Sequence, residues 1–237
     1  MTDYRIERAS DADALARMAA DWIAAQISLV LDQRDRCCIA LSGGSTPARA
    51  YSLLGQERLP WDRVDVCLGD ERWVSADDES SNARMLRRTL LSGGPGSSAV
   101  FHAVPTVELP DAEASADAFA QLLTMICPGT PPVFDLILLG LGDDGHTASL
   151  FPGTEAPTIV DRWATVGRGK GLDRITLTAP VLSAADQVMF LVSGAGKRKA
   201  LEQLLNPTGS VDITPARLVQ PASTVIVFAD EPALNAA

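Results

Sequence analysis

The chain has 237 residues, 46% of them hydrophobic and 21% charged, which excludes a disordered chain lacking the apolar surface to offset its ordering entropy. Thirty acidic residues against twenty basic ones give a formal net charge of −10, and with no basic tract both a nucleic-acid groove and an anionic membrane surface are disfavoured as partners. A small anionic ligand stays open, because a few local cations suffice to hold one.

The opening MTDYRIERASDADALA has no apolar h-region, so no secretory leader is expected. Ser10, with Asp13 three residues on, reads as a capping box. Leu15, Met18, Ala19, Trp22, Ile23, Ile27 and Val30 then follow helical spacing to about Leu31. Residues 37–41 form a short apolar strand that ends at Ser42-Gly43-Gly44-Ser45-Thr46-Pro47. Thr46 as N-cap and Pro47 at the first helical position would open a second helix, to about Leu54. The next strand, 64–68, runs into Gly69-Asp70-Glu71-Arg72, read as a loop. A helix over 82–91 stops at the Gly- and Pro-rich run 92–96. A short strand over 100–104 and a helix over 111–126 follow.

Residues 134–139 are continuously apolar, as in a parallel strand covered on both faces. They feed Gly140-Leu141-Gly142-Asp143-Asp144-Gly145-His146. This apolar run, extended to 141, is far shorter than the ~20 residues of a membrane helix. Strands near 175–178, 188–192 and 224–228, with a helix at about 197–205, complete the pattern. Strands alternating with helices, without repeat or linker, predict one α/β domain over 1–237. Its sheet is open, mostly parallel and Rossmann-like, with helices on both faces. Cys37, Cys38, Cys67 and Cys127 form no CxxC or zinc-ligand spacing, so reduced, buried thiols and a cytoplasmic location are expected.

In such sheets ligands sit beyond the carboxyl ends of the strands, where the three most unusual loops lie. Between a strand and a helix, the glycines and hydroxyls of 42–47 suit a phosphate or carboxylate; an ordinary βα turn is the alternative. It is not a Walker loop, since no GK[ST] follows. Gly140 to Gly145 formally matches GxGxxG, with Asp161 downstream, yet Asp143 and Asp144 would repel a pyrophosphate and Pro152 interrupts the following helix. The dinucleotide reading is therefore rejected. His146, on that Gly-rich loop, can exchange a proton near neutrality, whereas His102 reads as structural. Asp143, Asp144 and His146 have no second ligand cluster to complete a metal site, and there is no GxSxG elbow. Asp70-Glu71-Arg72 is either a surface charge cluster or an arginine for a phosphate beside a carboxylate for a sugar hydroxyl. Arg174 and Lys197, judged alone, read as solvated charges.

LSGGSTP at 41–47, GDERWV at 69–74 with Ser81-Asn82, and DLILLGLGDDGHTASLFPG at 135–153 together resemble the 6-phosphogluconolactonase family. RITLT at 174–178, LVSGAGK at 191–197 and PAS at 221–223 continue the likeness in order. Related glucosamine-6-phosphate deaminases continue their DGH motif with a glutamate five residues after the histidine; here that position is Phe151. The resemblance implies hydrolysis of 6-phospho-D-glucono-1,5-lactone in the oxidative pentose phosphate pathway, without cofactor or metal. A deaminase-like isomerase and a non-catalytic sugar-phosphate binder are the alternatives. His146 is expected to be the general base, while Asp144 either orients it or serves the loop. Ser42, Gly43, Gly44, Ser45 and Thr46 with Asp70 and Arg72, and by resemblance Arg174 and Lys197, are expected to bind the phosphorylated lactone. Oligomeric state is left open.

Overall fold

Seven strands form the central sheet of the computed structural model, which describes residues 2–235. Across the sheet they run β1 (Tyr4–Ala9), β10 (Val225–Asp230), β9 (Val188–Val192), β6 (Leu136–Gly140), β2 (Cys37–Leu41), β3 (Val64–Leu68) and β5 (Val100–Phe101). Every neighbouring pair is parallel. All residues of β2, β3, β9 and β10 are buried, so both faces are covered, as sequences apolar but for Asp65 in β3 and the terminal Asp230 of β10 require. The edge strand β1 is different. Its Tyr4 and Ile6 alternate with Arg5 and Glu7, and only its last residue is fully buried.

The helices are α1 (Ala12–Leu31), α2 (Ser45–Leu54), α3 (Asn82–Arg88), α4 (Ala112–Ile126), α5 (Ala179–Ala184), α6 (Arg198–Leu205) and α7 (Glu231–Leu234). By length and composition α1 is apolar enough to cross a membrane, a feature the 134–141 run had not suggested. Its Leu15, Ala19, Ile23 and Ile27 nevertheless form one buried stripe, and it packs on α2, β1 and β10, as a core helix does. The cap of α1 is Asp11 rather than Ser10: its carboxylate accepts the N–H groups of Asp13 and Ala14, both at 2.9 Å, while the Ser10 hydroxyl donates to Asp11. An ionised carboxylate is the stronger acceptor for these free N–H groups. Likewise α2 starts at Ser45, not after Thr46. Gly44 caps it at φ 114°, a backbone state open chiefly to glycine. Pro47 still falls in the first turn, where its missing N–H costs nothing.

The segment read as a loop at 69–72 is largely a strand. β4 (Asp70–Arg72) pairs antiparallel with β8 (Leu172–Leu177), and β8 with β7 (Ala164–Gly169), making a second sheet. Gly69 joins the two sheets: its N–H donates to the Leu41 carbonyl and its own carbonyl accepts from the Leu177 N–H, both at 2.9 Å. The β7–β8 hairpin turns through Lys170 and Gly171 at φ 54° and 79°, the positive-φ pair of a tight hairpin. β1, β7, α5 and α7 lie outside the elements read from the sequence, and β5 is only two residues long. The core is continuous from Ile23 and Ile27 through Ile39, Leu41, Phe134 and Phe190. Each fully buried Leu, Ile or Phe contributes roughly 1.5–3 kcal/mol. The four cysteines are buried and unpaired.

Candidate active site

Strand order reverses between β2 and β6, because after β2 the chain first goes to β3 and later returns to pair β6 on the other side. The loops leaving β2 and β6 therefore diverge and leave a crevice at the carboxyl edge. A cleft of about 230 Å³ occupies it, walled by Ser42–Gly44 after β2, Gly140–Gly142 at the end of β6, and Asp70, Arg72, His146, Lys170, Arg174 and Lys197.

The 140–146 loop folds back on itself. The Gly142 N–H donates to the His146 carbonyl at 2.8 Å and the Gly145 N–H to the Gly142 carbonyl at 3.1 Å, with Gly145 at φ 81°. Gly142 has no room for a side chain, since a Cβ there would lie 2.0 Å from His146 Nδ1. His146 Nδ1 is hydrogen-bonded to Asp144 Oδ1, which also accepts the His146 backbone N–H at 3.2 Å. The His146 side chain is only 15% exposed. Burial lowers its pKa from the ordinary imidazole value, and Asp144 only partly offsets this. Burial alone would raise the Asp144 carboxyl, but the bonds from the His146 ring and backbone hold it below the usual carboxylate range. At neutral pH the imidazole is thus uncharged beside an ionised carboxylate. Nδ1 must carry the proton it donates, which leaves Nε2 with a free lone pair.

Positive charge gathers in the same cleft. Arg72 on β4 and Arg174 on β8 stand directly opposite each other in the ladder, an arrangement that like charges resist. The Nε of each is buried without a partner. Arg72 Nη1 donates to the Ser80 carbonyl, and Arg174 Nη1 lies 3.7 Å from Asp70 Oδ2. Burial lowers the Arg174 pKa, Asp70 opposes that shift, and the Arg72 charge adds to it. Lys197 enters from the segment after β9, and Lys170 from the β7–β8 tip, its Nζ 3.5 Å from Asp143. Two adjacent guanidiniums and two ammonium groups in one cleft call for an anion.

The remaining expected residues divide. Ser42 is held by Tyr51, whose hydroxyl accepts the Ser42 N–H at 3.0 Å and donates to its carbonyl at 2.9 Å; the Ser42 Oγ is buried with no partner. Gly43 is pressed against Asn82, whose Oδ1 would lie 1.9 Å from a Cβ. Asp70 accepts Ser149 Oγ at 2.6 Å and Asn82 Nδ2 at 3.4 Å. Ser45 and Thr46 lie in the first turn of α2, outside the cleft wall. Glu71 points away from the cleft. It accepts the N–H groups of Arg72, Asn82 and Ala83 at 2.7–2.8 Å, and so ties β4 to the start of α3.

His102 lies near the opposite edge of the sheet, with Nε2 2.7 Å from Asp65. Among the described residues there is no group of three or more His, Cys, Asp or Glu suited to a metal. Lys170 was not among the expected binding residues. The available signal for Lys170 was the Gly-Lys-Gly triplet, a turn that presents one cation.

Residues 10–228 match the family model for glucosamine-6-phosphate isomerases/6-phosphogluconolactonase. A 6-phosphogluconolactonase of Nostoc sp. is 41% identical over 227 residues, 95% of each chain; one of Synechocystis sp. is 42% identical over 214 residues, 89% of each. The crystal structure of a 6-phosphogluconolactonase from Shewanella baltica superposes with a TM-score of 0.87 at 30% identity, over 97% of this chain and 98% of that one. A monomeric glucosamine-6-phosphate deaminase shares the fold at a TM-score of 0.80 and 21% identity. The chain belongs to the glucosamine-6-phosphate isomerase/6-phosphogluconolactonase family.

Proposed function

We propose that the protein hydrolyses 6-phospho-D-glucono-1,5-lactone to 6-phosphogluconate, with His146 as general base. The observation that carries this reading is a neutral imidazole, fixed at Nδ1 by Asp144, in a cleft also lined by Arg72, Arg174, Lys170 and Lys197. The 6-phosphate binds to Arg72, Arg174 and Lys197, with Ser42 Oγ and the N–H groups at the mouth of α2 as further donors. Anchoring the phosphate sets C1 against the base, where positioning lowers the barrier.

A water molecule attacks the C1 carbonyl while His146 Nε2 takes its proton. Asp144 stabilises the imidazolium so formed. As the tetrahedral intermediate collapses, the C1–O5 bond breaks and Nε2 returns the proton to O5. The product is the open-chain acid with a free 5-hydroxyl, and His146 is regenerated. Proton transfer of this kind typically contributes ~10²–10⁴-fold. A lactone is already an activated ester, so a base and an anchor suffice. The four buried thiols suit the cytoplasm as the site of action.

Phe151 disfavours the deaminase chemistry, since an apolar ring packs against His146 at the position of the relatives' glutamate. The test offers both substrates. With the lactone generated in place, product should form well above the spontaneous rate, and glucosamine 6-phosphate should release no ammonia. Ammonia release without lactone hydrolysis would replace this reading with the deaminase. Binding of sugar phosphates with neither reaction would leave a non-catalytic binder.

A further inference from the structure

We infer that Phe151 is a positioning residue that holds the base and the phosphate-binding cation in one fixed arrangement, its ring packed against both the His146 imidazole and the Arg174 guanidinium. The roles of those two partners rest on the lactonase reading; the packing does not. Phe151 is 4% exposed. Its ring centroid lies 4.5 Å from that of His146, with the planes inclined at 39°, and Arg174 Cζ lies 5.3 Å from the same centroid.

The seat for this ring is built into β7. A Cβ on Gly169 would stand 2.5 Å from Phe151 Cδ2, and one on Gly167 would stand 2.4 Å from the Ser149 carbonyl. Residues two apart on a strand share a face, so the two glycines of Ala164–Gly169 open one side of β7 to residues 149 and 151. That accounts for glycines in a strand where they weaken pairing. Ser149 in turn donates to Asp70 at 2.6 Å, so the same short segment touches the base, the cation and the cleft carboxylate.

The ring acts on its partners in different ways. Its π-face attracts the guanidinium, which has a buried, unpartnered Nε and its nearest carboxylate oxygen at 3.7 Å. Its apolar body keeps water from the imidazole, favouring the uncharged base. The charged groups around that imidazole are Asp144 on its own loop, Lys170 at the hairpin tip and Asp70 on β4, with Arg72, Arg174 and Lys197 on the other walls. Changing residue 151 leaves all six in the chain, so a moved titration reports the ring.

The experiment compares Phe151→Leu, Phe151→Tyr and Gly169→Ala with the parent protein. It reads the acid limb of kcat/KM, the NMR titration of His146 (the other histidine is His102), and 6-phosphogluconate binding by calorimetry. In Phe151→Leu the acid limb and the titration should both move to higher pH, by about half a unit to one unit. Binding of 6-phosphogluconate should weaken about 3–5-fold. Phe151→Tyr keeps a π-face and should restore both. Gly169→Ala displaces the ring without altering either partner and should shift both in the direction of Phe151→Leu, which keeps the test valid if that variant fails to fold. Folded variants with lowered Tm but unmoved titration and unmoved affinity would overturn the inference. Absence of lactone hydrolysis by the parent protein would refute the lactonase reading instead, and titration and binding would still decide the role of Phe151.

Discussion

His146→Ala is expected to lower kcat for the phosphorylated lactone by about 10²–10⁴-fold and to leave KM within a few-fold of the parent value. The asymmetry follows from what the imidazole does. In the proposed mechanism it exchanges a proton only as the water attacks and the ring oxygen departs, so its loss would remove an interaction made in the transition state and not in the bound ground state. Its Nδ1 is already engaged by Asp144, so the substrate has only Nε2 to gain. The fold should survive, because the backbone bonds from Gly142 and to the Asp144 carboxylate persist in the variant. The Asp144 side chain is 39% exposed, so water can solvate the carboxylate freed from the ring. Unchanged turnover would remove His146 from the chemistry.

Replacing Arg72 or Arg174 by methionine should act on the other half of the site. KM for the phosphorylated lactone should rise about 10–100-fold, as expected when a hydrogen bond to a charged group is lost. Hydrolysis of the unphosphorylated lactone should barely change. The two guanidiniums face each other across the β4–β8 ladder, so in the ligand-free protein each destabilises the other. Removing Arg72 should therefore leave Tm nearly level, whereas removing Arg174 also leaves the buried Asp70 without its cation and should lower Tm; in both variants the rise in Tm produced by 6-phosphogluconate shrinks. This trade of stability for binding is common at functional sites. Equal losses on both lactones would show that the arginines serve only the sheet.

Much of this site was legible because it lies where strong local signals end. β2 and β9 are unbroken apolar runs, β3 is interrupted only by Asp65, and the bounds of all three agree with the reading from sequence. The glycine-rich segments after β2 and β6 follow such runs directly, which places Ser42–Gly44 and His146 at the carboxyl edge from the sequence pattern alone. Other features depend on partners distant in sequence. β4 looks like a charged loop because its strand character comes from β8, about a hundred residues later. β7 reads as a poor strand because Gly167 and Gly169 answer to Ser149 and Phe151 across the packing and not to local propensity. β1 did show a period-two alternation, but a half-exposed edge strand lacks the continuous apolarity that marks its neighbours. Ser45 and Thr46 adjoin the Ser42–Gly44 loop in sequence, yet α2 starts at Ser45, directly after the positive-φ Gly44, and neither residue lines the cleft. Lys170 reaches the cleft only through the hairpin turn, which no nearby apolar pattern announces.

An uncharged His146 acting as the base sets the pH dependence of kcat/KM, which is to be measured beside the NMR titration of His146 in the same protein. A base must be unprotonated to work, and burial lowers the pKa of this one from the ordinary value of about 6.5. The rate, corrected for spontaneous hydrolysis, should therefore hold level through neutrality and fall only below about pH 6.5, with a midpoint that coincides with the His146 titration. A limb centred above pH 7, or one that persists unchanged in His146→Ala, would contradict the account.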